Sequence, residues 1–226
     1  MSVIKYYAII VGGGSGSRMQ SDTPKQFLPL KGRPVLMHTI EAFHSCDFTP
    51  EIIVVLDADF HSYWQKLCAE YAFTIPHKVV SGGEHRFHSV QNGIKHISDP
   101  AIVAIHDAVR PCISRKIIHS AFKQAEETGT AVTAIKSRDS IRQLTQLVSV
   151  SLNREEIYII QTPQVFKSEI LRKAYEQEYQ KDFTDDATVV ERSGVEIKLV
   201  EGDFKNLKIT YPEDMFVAEM YVDCKN

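Results

Sequence analysis

The chain has 226 residues, of which 43% are hydrophobic and 24% charged, and its formal net charge is −3. These fractions suit a soluble globular protein of one large domain or two small ones, and the slight acidity excludes the global basic field of a nucleic-acid binder. No apolar run approaches a membrane span, so neither nucleic acid nor membrane is expected as a partner.

The opening residues, Met1-Ser2-Val3-Ile4-Lys5, run straight into an apolar stretch and lack a signal-peptide pattern. A first strand is predicted at 7–11. It leads into Gly12-Gly13-Gly14-Ser15-Gly16-Ser17-Arg18-Met19, followed shortly by Pro24-Lys25-Gln26-Phe27. The loop is not a Walker A element, because Ser17 rather than lysine follows Gly16. Nor is it the dinucleotide fingerprint, whose last position falls on Ser17 or Met19. Its glycines leave backbone N–H groups free to close around an anion. A flexible strand-to-helix turn is the plainer alternative, and the nearby Arg18 and Lys25 weigh against it.

Leu36, Ile40 and Phe43 then recur at helical spacing. Strands are predicted at 52–56, 78–80, 102–105 and 131–135. Ser114 is placed to cap a helix carrying Ile117, Ala121 and Ala125 and closed near Gly129. The stretch 136–153 breaks the rhythm: polar residues interleave with Ile141, Leu144, Leu147, Val148, Val150 and Leu152, without glycine or a helical stripe. It reads either as a hairpin leaving the body, needing a second copy of the chain to cover its apolar residues, or as an insertion folded onto its own domain. Further strands are predicted at 157–160, 196–200 and 207–209. Thr210-Tyr211-Pro212-Glu213 fits a capping box opening a last helix. Strand–helix alternation with Val- and Ile-rich strands implies an α/β fold with a largely parallel sheet. Cys46, Cys68, Cys112 and Cys224 form no C-x-x-C pair and read as reduced thiols in a cytoplasmic protein.

In such a sheet ligands sit beyond the carboxyl ends of the strands. The segments there are the glycine loop with Arg18 and Lys25, Ser81-Gly82-Gly83-Glu84-His85-Arg86 with His88-Ser89, His106-Asp107-Ala108-Val109-Arg110-Pro111, Gln161-Thr162-Pro163-Gln164, and Lys208. This cationic, hydrogen-bonding set suits phosphoryl or nucleotidyl transfer. A phosphate monoester is already an anionic nucleophile near neutral pH. The enzyme's task is then to position two anions and supply cations where charge builds up. Arg18 offers a planar fork and Lys25 a point charge. Asp107 is suited to Mg²⁺ or, more plainly, to capping a turn. His85 and His88 invite a zinc proposal but no third ligand is evident. His106 reads as packed, and nothing marks Cys112 as a nucleophile.

Six motifs now stand in order: Gly-Ser-Gly-Ser-Arg-Met (14–19), Pro-Lys-Gln-Phe (24–27), His-Asp-Ala-Val-Arg-Pro (106–111), Gln-Thr-Pro-Gln-Val-Phe (161–166), Thr-Asp-Asp-Ala (184–187) and Asn-Leu-Lys-Ile-Thr (206–210). In this order the chain resembles the 2-C-methyl-D-erythritol 4-phosphate cytidylyltransferases. The resemblance implies a Rossmann-like nucleotide-diphospho-sugar transferase fold, mostly parallel with helices on both faces. It also implies a single domain over 1–226 with a protruding β-arm that dimerises at about 136–156. The implied reaction joins CTP to 2-C-methyl-D-erythritol 4-phosphate with Mg²⁺ and releases pyrophosphate, in non-mevalonate isoprenoid biosynthesis.

By the same resemblance Gly12, Gly13, Gly14, Ser15 and Gly16 cradle the CTP phosphates, and Arg18 and Lys25 stabilise the pentacoordinate α-phosphorus. Gly83, Glu84 and Ser89 read cytosine and hold the nucleotide. Asp107 faces the metal region and substrate hydroxyls. Arg110, Thr184 and Lys208 line the sugar-phosphate side, with Lys208 also near the transferred phosphate. Ser140, Arg154 and Thr162 reach the partner's methylerythritol phosphate. Several positions depart from the common pattern. The loop begins Gly-Gly-Gly, Ser140 stands where threonine is common, Asn153 replaces a frequent aspartate before Arg154, and Phe87 and His88 are bulky. A ribitol 5-phosphate cytidylyltransferase shares several motifs, but Ala108 and the Thr184–Ala187 run favour methylerythritol. A non-catalytic nucleotide-binding homologue is the alternative of a different class.

Overall fold

The computed structural model describes residues 4–14, 19 and 23–222. Ser15, Gly16, Arg18 and Cys224 lie outside the described residues, so the expectations placed on them are carried by the sequence alone. In chain order the elements are β1 (Lys5–Val11), a two-strand ribbon of β2 (Pro29–Leu30) and β3 (Arg33–Pro34), and α1 (Val35–His44). Next come β4 (Glu51–Leu56), α2 (His61–Glu70), β5 (Lys78–Ser81), α3 (Arg86–Ile94) and β6 (Ala101–Asp107). Then follow α4 (Arg115–Thr128), β7 (Thr130–Lys136), the pair β8 (Arg142–Thr145) and β9 (Val148–Ser151), and β10 (Tyr158–Lys167). The chain closes with α5 (Ser168–Ala174), α6 (Asp186–Arg192), β11 (Leu199–Glu201) and α7 (Pro212–Tyr221).

Seven strands form one sheet in the order β11-β7-β10-β6-β1-β4-β5. All pairs are parallel except those of β10, which runs antiparallel to both β6 and β7. The period of two along β1 divides the core. Ala8 and Ile10 face one side with Leu36, Ile40, Phe43, Trp64 and Phe122. Tyr7 and Ile9 face the other with Phe87, Val90, Leu171 and Val190. Helices α1, α2 and α4 thus cover one face, and α3, α5 and α6 the other, giving the α/β architecture expected from the sequence. Each fully buried Ile, Leu or Phe contributes roughly 1.5–3 kcal/mol, so this two-sided burial dominates the stability of the sheet.

Local chemistry sets the helix ends. The Ser114 hydroxyl accepts from the Ile117 N–H, and Gly129 closes α4 with φ of 92°. That left-handed C-cap is one a side chain rarely tolerates. The last helix is capped one residue later than the sequence suggests. Tyr211 is the N-cap, and the Asp214 carboxylate accepts from the Thr210 and Tyr211 N–H groups at 2.7 and 2.8 Å.

Three strand expectations are corrected. Residues 158–160 belong to the longer β10, whose register shifts between Ile160 and Gln164. Gln161–Gln164 is therefore a mid-strand irregularity and not a loop after a parallel strand. Of 196–200, only the end joins the sheet, as β11. Residues 207–209 form no ladder: Ile209 N–H donates to Val109 O at 2.9 Å, and Ile209 anchors in a third apolar cluster with Leu30, Val35 and Ala218. These contacts, with the bond from Lys25 Nζ to Ile209 O, hold this segment where a ladder would otherwise be needed.

The stretch 136–153 forms a hairpin and is not folded onto its own domain. Its strands β8 and β9 pair antiparallel as a separate two-stranded sheet, and every residue in them is exposed. Leu147 at the turn is 98% exposed and Leu144 73%.

Candidate active site

The chain passes from β1 to β4 on one side of the sheet and returns with β6 on the other, so the strand order reverses beside β1. A crevice opens outside the carboxyl ends of strands at such a switch. Here it is a cleft of about 530 Å³ whose lining includes Gly12, Gly13, Gly14, Lys25, Gly83, Glu84, Arg86, Ser89, Asp107 and Lys208. The structure therefore gathers nine of the expected residues in one place, from four separate segments of sequence.

The backbone holds them by specific bonds. Gly12 N–H donates to Val55 O at 2.8 Å, and the buried Gln26 amide donates to Gly12 O at 2.7 Å, so the start of the glycine loop is fixed from both sides. A Cβ at Gly12 would lie 3.0 Å from Leu56 and 3.1 Å from Ala108. Lys25, in a single 3-10 turn (Lys25–Phe27), is 9% exposed and donates from Nζ to Ile209 O at 3.0 Å. Across the cleft Gly83 N–H donates to Ser89 Oγ at 3.1 Å, and that hydroxyl donates to His85 O at 3.2 Å. This arrangement closes the first turn of α3. Glu84 projects outward, its side chain 82% exposed.

Asp107 is the buried carboxylate of the cleft. Its Oδ2 lies 3.1 Å from Lys208 Nζ and 3.2 Å from Arg110 Nε, and its Oδ1 lies 3.8 Å from Arg86 Nε. Burial alone would raise its pKa, but Lys208, Arg86 and Arg110 outweigh that and hold the carboxyl well below the usual range. Its N–H donates to Thr162 Oγ1 at 3.1 Å, and that hydroxyl lies 3.1 Å from His106 Nδ1. His106 Nε2 meets Arg110 O at 3.3 Å. With Nε2–H as the donor, Thr162 donates to Nδ1, and both ring nitrogens and the Thr162 hydroxyl are paired. Burial pushes the His106 imidazole down to about 3, which keeps it neutral.

The remaining expected residues are placed otherwise. Arg110 is 8% exposed, with NH1 donating to Asn206 O at 2.8 Å; it stands behind Asp107. Thr162 is 4% exposed and supports Asp107 within its own chain. Thr184 is exposed, its hydroxyl 3.5 Å from that of Thr188. Ser140 and Arg154 are exposed at the root of the hairpin, where Arg154 donates to Arg138 O and pairs with Glu155 at 3.6 Å.

The expectation of Mg²⁺ on Asp107 does not fit the geometry. Its oxygens face three cations, which compete with a dication for the same lone pairs. Among the described residues no group of three His, Cys, Asp or Glu side chains is placed to hold a metal. His85 stacks instead on Tyr179, with ring centroids 4.2 Å apart.

Sequence reasoning gave no role to Arg86, although it stands in a strand-end segment. The structure puts it in the cleft, held by Asp186 through two bonds of 2.7 Å. Asp186 belongs to the Thr-Asp-Asp-Ala motif, and that pairing is the signal the linear pattern conceals.

Residues 6–224 match a family model described as 2-C-methyl-D-erythritol 4-phosphate cytidylyltransferase. A protein of that name from Phocaeicola vulgatus is 44% identical over 96% of this chain and 99% of its own length. Another, from Bacteroides thetaiotaomicron, is 45% identical over 95% and 98%. Among solved structures, a 4-diphosphocytidyl-2C-methyl-D-erythritol synthase from Anaerococcus prevotii superposes with a TM-score of 0.83 at 28% identity, over 97% of this chain and 96% of the other. A 2-C-methyl-D-erythritol 4-phosphate cytidylyltransferase from Francisella tularensis gives a TM-score of 0.78 at 29% identity, over 96% and 99%.

Proposed function

The chain belongs to the 2-C-methyl-D-erythritol 4-phosphate cytidylyltransferase family, and on that premise we infer that it transfers CMP from CTP to 2-C-methyl-D-erythritol 4-phosphate. The products are 4-diphosphocytidyl-2-C-methyl-D-erythritol and pyrophosphate, as non-mevalonate isoprenoid biosynthesis requires. The observation that carries the reading is the convergence of the glycine loop, Lys25, Asp107 and Lys208 on one cleft at the switch point of the sheet.

In this reading a phosphate oxygen of the acceptor attacks the α-phosphorus of CTP. The bond from that phosphorus to the bridging oxygen breaks, and pyrophosphate leaves. No protein nucleophile takes part, because the acceptor phosphate supplies one. Lys25, together with Arg18, stabilises charge at the pentacoordinate phosphorus. The loop backbone around Gly12, Gly13 and Gly14, continuing into Ser15 and Gly16, cradles the triphosphate, and Gly83, Glu84 and Ser89 hold the base side. Lys208, on a flexible stem and 40% exposed, draws the acceptor phosphate in. Asp107, an acceptor-only carboxylate, takes substrate hydroxyls. Arg110 and Thr162 orient it, and Thr184 faces the sugar phosphate. Mg²⁺ belongs with the substrate as counter-ion to the triphosphate.

The protein acts as a cytoplasmic homodimer of single-domain chains, with the hairpin at about 136–156 as the clasp. The bare apolar tips of the hairpin support this, as does a groove of about 800 Å³ at its root lined in part by Ile135, Tyr158, Leu199 and Phe204. Ser140 and Arg154 then reach the acceptor site of the second copy. Among the described residues no helix is long and apolar enough to cross a membrane.

The test is pyrophosphate release from CTP and Mg²⁺ with 2-C-methyl-D-erythritol 4-phosphate, ribitol 5-phosphate or no acceptor. Release with the methylerythritol phosphate alone is expected. Release with ribitol phosphate alone keeps the chemistry and changes the substrate, and silence with both overturns the reading.

A further inference from the structure

Three cations face Asp107, and they are not equally free to move. Arg110 is buried, with its NH1 committed to Asn206 O. Arg86 spends NH1 and NH2 on the two oxygens of Asp186, both at 2.7 Å, and only its Nε edge is left toward Asp107. Asp186 is fully buried and also accepts the Tyr175 hydroxyl at 2.6 Å. The bridge is backed by packing, because the Phe87 ring, one residue on, stacks on Tyr175 with centroids 4.7 Å apart. Lys208 has no such clamp; its 40% exposed side chain approaches Asp107 from the cleft.

A polyanionic substrate therefore competes with Asp107 for Lys208, and Lys208 is the cation able to leave. We propose that Arg86 is a positioning residue: the buried Asp186–Tyr175 pair aims its guanidinium at Asp107, so that the carboxylate keeps its orientation when Lys208 transfers to a substrate phosphate. The bidentate fork is essential to that role, because lysine carries the charge without the planar geometry. The proposal rests on the cytidylyltransferase reading and adds a residue to it.

The test compares wild type with Arg86→Lys, Asp186→Asn, their double variant and Tyr175→Phe, using pyrophosphate release at varied CTP and varied methylerythritol phosphate. Rates are normalised to the folded fraction, read from the fluorescence of the fully buried Trp64, the sole tryptophan of the chain. Misaimed catalytic groups cost rate steeply, so each of the first two variants is expected to lose about tenfold in kcat with KM for CTP within about twofold. The double variant should be no worse than the poorer single, as groups acting in one chain are non-additive. Tyr175→Phe, which leaves the ion pair intact, should show a smaller loss of the same kind. If Asp186→Asn does not fold, Arg86→Lys and Tyr175→Phe carry the test. Unchanged normalised kcat, or losses that simply add, would overturn the proposal. A tenfold rise in KM for CTP with kcat intact would also overturn it, by making Arg86 a nucleotide ligand. A wild type silent with both acceptors would defeat the functional reading itself, and this proposal with it.

Discussion

Gly83 lies directly beneath His88: a Cβ placed on Gly83 would stand 2.4 Å from the Cβ of His88. This close approach brings the Gly83 N–H onto Ser89 Oγ and turns the cleft wall into α3. Gly83→Ala must displace the first turn of the helix, with a stability cost of roughly 1–3 kcal/mol. KM for CTP is expected to rise about tenfold with a smaller change in kcat, since the displaced wall holds the ground state as much as the transition state. Steady-state kinetics at saturating acceptor checks it, and an unchanged KM for CTP would remove this wall from nucleotide binding.

Lys25 is expected to behave in the opposite way. Its ammonium is fixed by the Ile209 carbonyl in a position lining the cleft, and in the proposed mechanism it acts on charge that peaks at the transition state. Lys25→Ala should lower kcat by roughly 10²–10³-fold while KM for CTP changes little. A variant retaining kcat would exclude Lys25 from the chemical step. The same outcome is expected for Arg18→Ala on sequence grounds.

His106 carries a pH signature. Its folded pKa, about 3, lies below the ordinary value of 6.5. Between these values the unfolded chain binds a proton that the folded chain excludes, so stability present above about pH 6.5 is lost as pH falls toward 3. The slope reaches at most about 1.4 kcal/mol per pH unit. Urea denaturation of wild type and His106→Gln across pH 7 to 4 should show a shallower decline in the variant. Parallel curves would show that the imidazole is not excluded from protonation.

The clasp is tested by complementation. Arg154 sits on the hairpin, away from the lining of its own chain's cleft. Mixing Arg154→Ala with Lys25→Ala chains should yield heterodimers with one intact site and activity above either parent. Absence of recovery, with heterodimers demonstrated, would place Arg154 outside the reaction. In sedimentation velocity, Leu144→Asp with Leu147→Asp should weaken self-association while leaving the melting of the domain body nearly unchanged. Both side chains are exposed and pack against nothing in their own chain's core.

Much of this protein was legible in the linear pattern. The Val- and Ile-rich runs at 7–11, 52–56, 102–105 and 131–135 became strands of the sheet, Ser114 and Gly129 bound α4, and the polar–apolar stretch 136–153 became the exposed hairpin. These features rest on local forces: side-chain period, caps, and glycine's tolerance of positive φ. The residues at the ends of strands were legible as candidates because the sheet topology brings Gly83 and Asp107 to one edge, whereas Lys25 and Lys208 are held there by the bonds of Ile209 to Lys25 and Val109.

What the sequence by itself determined is the fold class, the reaction chemistry and nine of the residues that line the cleft. Only the tertiary structure decided how the charges are shared. β10 runs antiparallel and carries Thr162 into its middle, so that hydroxyl meets Asp107 N–H and His106. Arg86 finds Asp186 across a hundred positions of chain. Asp107 is left facing three cations where the sequence suggested a metal ligand. Such pairings depend on which side chains share a buried, low-dielectric space, where a charge must find its partner. Spacing along the chain does not encode that proximity.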